Sequence, residues 1–126
     1  MERDEMIAAG FGFRKAATEE SLRAAYEAAA ARPVDALAAP TDKAAAPALI
    51  ALAAALDLPL RPVAAETMAG METLTQSATV RAHRGVGSVA EAAALAAAGP
   101  GARLIAPRSL SPDGMASCAL AEGEPT

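Results

Sequence analysis

The chain has almost no aromatic residues. Phe11, Phe13 and Tyr26 are the whole set, and tryptophan is absent. Stacking between rings is therefore excluded as a main way of holding a ligand. Cysteine occurs once, at Cys118, and histidine once, at His83. One cysteine permits no intrachain disulfide and no thiolate zinc cluster, so neither a metal nor another resident cofactor is expected. No apolar run reaches the roughly 20 residues of a membrane span. The start, "MERDEMIAAG", is charged and lacks the long apolar region of a signal peptide. The expectation is a cytoplasmic protein that makes no membrane contact. Positive charge is also scarce: 11 Lys and Arg stand against 15 Asp and Glu, for a formal net charge of −4. A general nucleic-acid binder would show a broad basic footprint, so that class is excluded. A local basic pocket for a small anion is not.

What the chain does have is alanine, about three residues in ten. Helices so rich in alanine can pack very close to a sheet. With 126 residues, one domain is expected, its core running from about Met6 to Glu122. "MIAAGFGF" (Met6 to Phe13) reads as a buried first strand ending in a Gly-x-Gly turn. "TEESLRAAYEAAAA" (Thr18 to Ala31) reads as a helix capped by Thr18, with Leu22, Ala25, Tyr26 and Ala29 on one face. "DALAAP" (Asp35 to Pro40) is a second strand. Thr41 to Pro59 follows as a helix with Thr41 or Asp42 near its start and Pro47 in an early turn. Leu58 to Ala65 is a third strand. Glu66 to Ala82 is irregular, with a short helix in "ETMAGMETL" and a loop at "TQSATV".

The clearest helix is "SVAEAAALAAAGPG" (Ser88 to Gly101), where Ser88 and Glu91 form a capping-box pattern and Gly99-Pro100 a stop. Arg103 to Leu110 is a strand, "SPDG" (Ser111 to Gly114) a turn, and Met115 to Glu122 an antiparallel edge strand that pairs back. Strands alternating with helices imply an α/β fold: a three-layer α/β/α domain with a mostly parallel, mixed sheet and a C-terminal hairpin.

Three places could carry chemistry. "GFGFRK" offers Gly10 and Gly12 for close backbone approach, with Arg14 and Lys15 as cations. It lacks the P-loop spacing and the third glycine of a dinucleotide fingerprint, so a plain tight turn competes with an anion site. "TDK" (Thr41, Asp42, Lys43) stands where a strand hands over to a helix. Lys43 could bind a carboxylate, or the segment could be only a capped helix with a solvated lysine. "RAHRGVGS" places Arg81, His83 and Arg84 before Gly85, Gly87 and Ser88 at a helix start, where backbone N–H groups attract anions. His83 as a general acid or base, and Cys118 as a nucleophile, are the weaker readings. Glu66 and Glu72 read as solvated loop charges. In a doubly wound sheet, strand-to-helix transitions gather on one edge. These three places should therefore line one positive cleft suited to a ligand with several spread carboxylates.

Those same stretches carry a resemblance. "GFGFRK", "LAAPTDKAAAPALIALAAALDLPLRPVAAETM", "SATVRAHRGVGSVAEAAALAAAG" and "ARLIAPRSLSPDGMASCALAE" resemble the cobalamin-biosynthesis CobE / CbiG C-terminal family over nearly the whole chain. "GVGSVAEAAAL" is the most specific piece. The Lys43 position and "LDLPL" (Leu56 to Leu60) also match. The resemblance implies a compact α/β/α domain, a role in making the corrin ring, and as ligand a corrin-pathway intermediate, an anionic tetrapyrrole rimmed by carboxylates. It also implies other cobalamin-biosynthesis enzymes as partners. Family members often read G-x-G-C-R-R-G at the first turn. Here Phe13, Lys15 and Ala16 replace the cysteine, second arginine and last glycine, so a thiol at that place is excluded. Three functions stay open: binding or handling an intermediate, an enzyme opening a lactone or acting alongside methylation, and an assembly partner. Binding is preferred, because the residues show anion sites but no acid–base pair.

Overall fold

The computed structural model describes residues 6–30, 33–69, 88–99 and 101–123. Five strands, β1 (Met6–Phe13), β2 (Ala36–Pro40), β3 (Leu60–Val63), β4 (Arg103–Leu110) and β5 (Ala116–Gly123), form one sheet in the order β3-β2-β1-β5-β4. Among the described residues four helices accompany it: α1 (Glu19–Ala29), α2 (Pro47–Leu56), α3 (Ala65–Ala69) and α4 (Val89–Ala98). β1, β2 and β3 pair in parallel, whereas β5 runs antiparallel to both β1 and β4. The sheet is thus mixed, and the mostly parallel expectation holds in part: β4 runs in the same direction as β1–β3 and β5 alone is reversed, while two of the four pairings are antiparallel. The expected edge position of the last strand is corrected. β5 lies between β1 and β4, and β4 is the edge. The cause is visible in burial: β5 carries an almost continuous run of small buried residues, which suits a strand covered on both faces. β4 is largely half-exposed, contains Pro107, and has two register shifts, as an edge strand tolerates.

The two faces of the sheet are packed differently. One face buries Ile7, Phe11, Leu37, Cys118 and Leu120 against Leu22 of α1 and Leu49 and Leu52 of α2. The opposite face buries Ala8, Ala38 and Ala121 against the alanines of α4, with Met68 of α3 alongside. Helices on both sides make three layers, as alternating strands and helices imply.

The Gly-x-Gly pair is not a turn. Gly10 and Gly12 are ladder residues of β1, opposite Ala119 and Ser117 of β5. A Cβ at Gly10 would collide with the Ala90 carbonyl oxygen and the Ala94 nitrogen, and one at Gly123 with the Ala98 carbonyl. The bare strand surface there lets α4 lie directly on β1 and β5.

Two helix starts also differ from expectation. Residues 41–45 form turns, and α2 begins only at Pro47, in the first-turn position that suits proline. Thr41 and Asp42 therefore do not cap it; the cap residue is Ala46, which offers no side-chain bond. At α4, Ser88 does cap, accepting the Glu91 N–H at 3.3 Å. The Glu91 side chain is fully buried and accepts the Arg108 N–H of β4 at 2.9 Å, so it serves the bulged edge strand across the layer.

Candidate functional site

The C-terminal ends of β1, β2 and β3 lie on one edge of the sheet, together with the end of β4 and the start of β5. Each strand there hands over to a helix or a turn, so helix N-termini collect along this edge and favour anions. Arg14 and Lys15 follow β1 directly and are exposed. The Arg14 N–H donates to the Met115 carbonyl at 2.9 Å, and the Ala17 N–H donates back to the Arg14 carbonyl at 3.0 Å, closing a tight turn. Thr41, Asp42 and Lys43 follow β2. The Thr41 N–H donates to the Val63 carbonyl at 3.0 Å, and the N–H groups of Lys43 and Ala44 both donate to the Pro40 carbonyl. Lys43 Nζ stands 5.2 Å from the centre of the Phe13 ring, within cation–π range. That contact joins the "TDK" segment to the end of β1.

Ser88 reaches the same edge from the other face. The position that a Gly12 Cβ would take is 3.3 Å from Val89 Cβ, so the first turn of α4 abuts the end of β1. Arg14, Lys15, Thr41, Lys43, Gly12 and Ser88 thus gather around one sheet end. They straddle it rather than share a face, with Lys43 beside Phe13 and Val89 beside Gly12; Ser88 itself is fully buried, its hydroxyl capping α4. Gly10 does not belong to the group, because it is buried under α4. Arg81, His83, Arg84, Gly85 and Gly87 lie outside the described residues. Arg23 pairs with Glu19 along α1 and Arg103 with Glu122 across the hairpin, and Asp42 places a carboxylate next to Lys43 in the chain.

A second polar group stands at this edge. Asp113, at the tip of the β4–β5 hairpin, accepts the Ser111 hydroxyl at 2.6 Å and the Met115 N–H at 3.0 Å on one oxygen. Its other oxygen accepts the Ser21 hydroxyl of α1 at 2.6 Å, across 92 residues. Ser21 also completes the α1 capping box with Thr18. The hydrogen bonds from Ser111, Ser21 and Met115 lower the Asp113 carboxyl to a pKa of about 2. The only forewarning was the "SPDG" turn, which accounts for Ser111 and Asp113 but not for Ser21.

Nucleophilic chemistry at Cys118 finds no support. Cys118 is buried in the interior strand β5, and burial pushes its thiol far above the ordinary range. No group of metal ligands occurs among the described residues. None of their helices is long and apolar enough to cross a membrane.

Comparison with known proteins decides the family. A family described as "Cobalamin synthesis G C-terminus" matches residues 7–121. The chain belongs to this family. It is similar to the crystal structure of CobE, described as a protein from the cobalamin (vitamin B12) biosynthetic pathway. The two share 34% identity over 98% of this chain and 95% of that one, with a TM-score of 0.84. It is also similar to cobalamin biosynthesis protein chiG from Agrobacterium tumefaciens strain C58, at 39% identity over 92% of this chain and 97% of that one, with a TM-score of 0.68. No curated protein sequence matches the chain. The family and both neighbours assign this chain to cobalamin biosynthesis.

Proposed function

We propose that this family member binds an anionic, polycarboxylate corrin-pathway intermediate at the C-terminal end of β1–β3 and holds it or hands it on. The observation that carries the proposal is the gathering of Arg14, Lys15 and Lys43 around that sheet end in an otherwise acidic chain. A cation fixed over the Phe13 ring is displayed with part of its freedom already lost, which favours binding. The tetrapyrrole rim carries several carboxylates that could meet the cations at this sheet end. Binding is preferred over catalysis, because burial keeps the Cys118 thiol protonated and the sequence pairs no acid with a base at the cations.

Cobyrinic acid, a coloured corrin polycarboxylate, is a suitable probe, since a chain without tryptophan leaves the visible and near-ultraviolet spectrum to the ligand. Arg14→Ala and Lys43→Ala are each expected to weaken uptake by about 1–3 kcal/mol, the scale of hydrogen bonds to charged groups. Added salt should weaken uptake by the wild type. Two variants that titrate like the wild type at low salt would remove the site from this edge.

A further inference from the structure

The turn that carries Arg14 and Lys15 is only four residues long, from the end of β1 to the Thr18 cap, and the hairpin grips it at both ends. At its start, the Arg14 N–H is bonded to the Met115 carbonyl. At its end, Thr18 and Ser21 are bonded to each other, and Ser21 Oγ donates to Asp113. That donation uses the only Ser21 hydroxyl hydrogen, so at the 3.1 Å contact between the two hydroxyls Thr18 Oγ1 must be the donor. The chain runs in one direction: Thr18 hydroxyl to Ser21 hydroxyl to Asp113 carboxylate, with Ser111 and the Met115 N–H filling the other carboxylate oxygen. Ser111 in turn accepts the Ala116 N–H and fixes the first residue of β5. Asp113 is exposed, and both its oxygens are committed to protein donors, so the carboxylate is held in one orientation.

We infer that Asp113 is a positioning residue for the binding of anions at this sheet end: it clamps the hairpin onto the α1 cap and so holds the Arg14–Lys15 turn ready for its ligand. The inference rests on the proposed binding site, and it assigns the hairpin a part in recognition although the hairpin supplies no cation to it. Ordering a cationic turn before the ligand arrives lowers the entropy lost on binding. Loss of the clamp therefore weakens binding without changing how many charges meet the ligand.

The test titrates cobyrinic acid into the full chain and its variants at several salt concentrations. Asp113→Ala should weaken binding by about three- to ten-fold, the factor expected from ordering a short turn on binding, although removal of a carboxylate would by charge alone strengthen the binding of an anion. Arg14→Ala should flatten the salt dependence as well. Asp113→Asn, which keeps a carbonyl acceptor for one side of the clamp, should recover part of the loss. Leu52→Ala, a core variant on α2 remote from the turn, serves as the stability control and should bind as the wild type does at temperatures where both are folded. Hydrogen exchange at the Arg14 and Ala17 amides should speed up in Asp113→Ala and not in Leu52→Ala, whether or not a ligand is added. If Arg14→Ala and Lys43→Ala weaken binding but Asp113→Ala does not, the clamp is purely structural and the inference fails alone. If the wild type itself takes up no probe, the binding site fails and the inference with it.

Discussion

The two faces of the sheet are covered by helices in opposite ways. On the α1–α2 face the filling is large: Phe11, Leu22, Leu37, Leu49, Leu52 and Leu120 are all fully buried. On the α4 face it is small: Ala8, Ala90, Ala94, Ala98 and Ala121, with Gly10 and Gly123 beneath the helix. The first face is stabilised by apolar area removed from water, which scales with side-chain size. The second gains little area per residue and relies on close backbone approach and dense packing. The difference bears on the site. A helix seated on bare strand has little room to shift, so α4 delivers the helix N-terminus to a fixed place beside Gly12. The larger side chains of the other face end at Phe13, whose ring supports Lys43.

The comparison can be broken most directly on the leucine side. Phe11→Ala leaves a cavity where a fully buried ring had been and should cost about 3–5 kcal/mol in denaturant unfolding. On the alanine side the damaging change is an addition. Gly10→Ala should cost about 3 kcal/mol, at the upper end for overpacking, because the new methyl meets the α4 backbone and not a movable side chain. Gly12→Ala, whose nearest neighbours would stand 3.1 to 3.5 Å away, should cost under about 1.5 kcal/mol. Equal costs at Gly10 and Gly12 would mean that α4 is not held by close approach. Ser88→Ala should remove about 1 kcal/mol by uncapping α4, with the melting temperature as the measure.

The smallest expected effect concerns acid. Asp113 has a carboxyl pKa lowered from 3.8 to about 2, so its clamp contributes stability above its unfolded value. That contribution is lost as pH falls through about 2. Between pH 4 and pH 2 the melting temperature should fall more steeply for the wild type than for Asp113→Asn; parallel curves would show that the clamp adds nothing.

Much of the fold was legible because local signals and tertiary packing agree. Thr18 caps α1, Ser88 caps α4, Pro47 sits in the first turn of α2, and the "SPDG" turn joins two strands where apolar runs flank it. The errors fell where local sequence is ambiguous. Two glycines after an apolar run look alike whether the chain turns or a helix presses on a strand. Glu91 fits the third position of a capping box, yet its buried carboxylate accepts the Arg108 N–H, a partner 17 residues away. Of the candidate site, the cations Arg14, Lys15 and Lys43 were legible as residue types at strand ends, whereas the Phe13–Lys43 contact and the Ser21–Asp113 bond join separate segments.

By itself the sequence determined the fold class, the family and the caps and turns, since these depend on periodicity, propensity and contacts within a few residues. Only the tertiary structure decided that β5 would be interior and β4 the edge, and that Gly10 would lie under α4. It also decided that the hairpin would grip the cationic turn. Strand order and cross-layer contacts are set by which faces can be covered at once, a condition on the whole chain that no short stretch of it expresses.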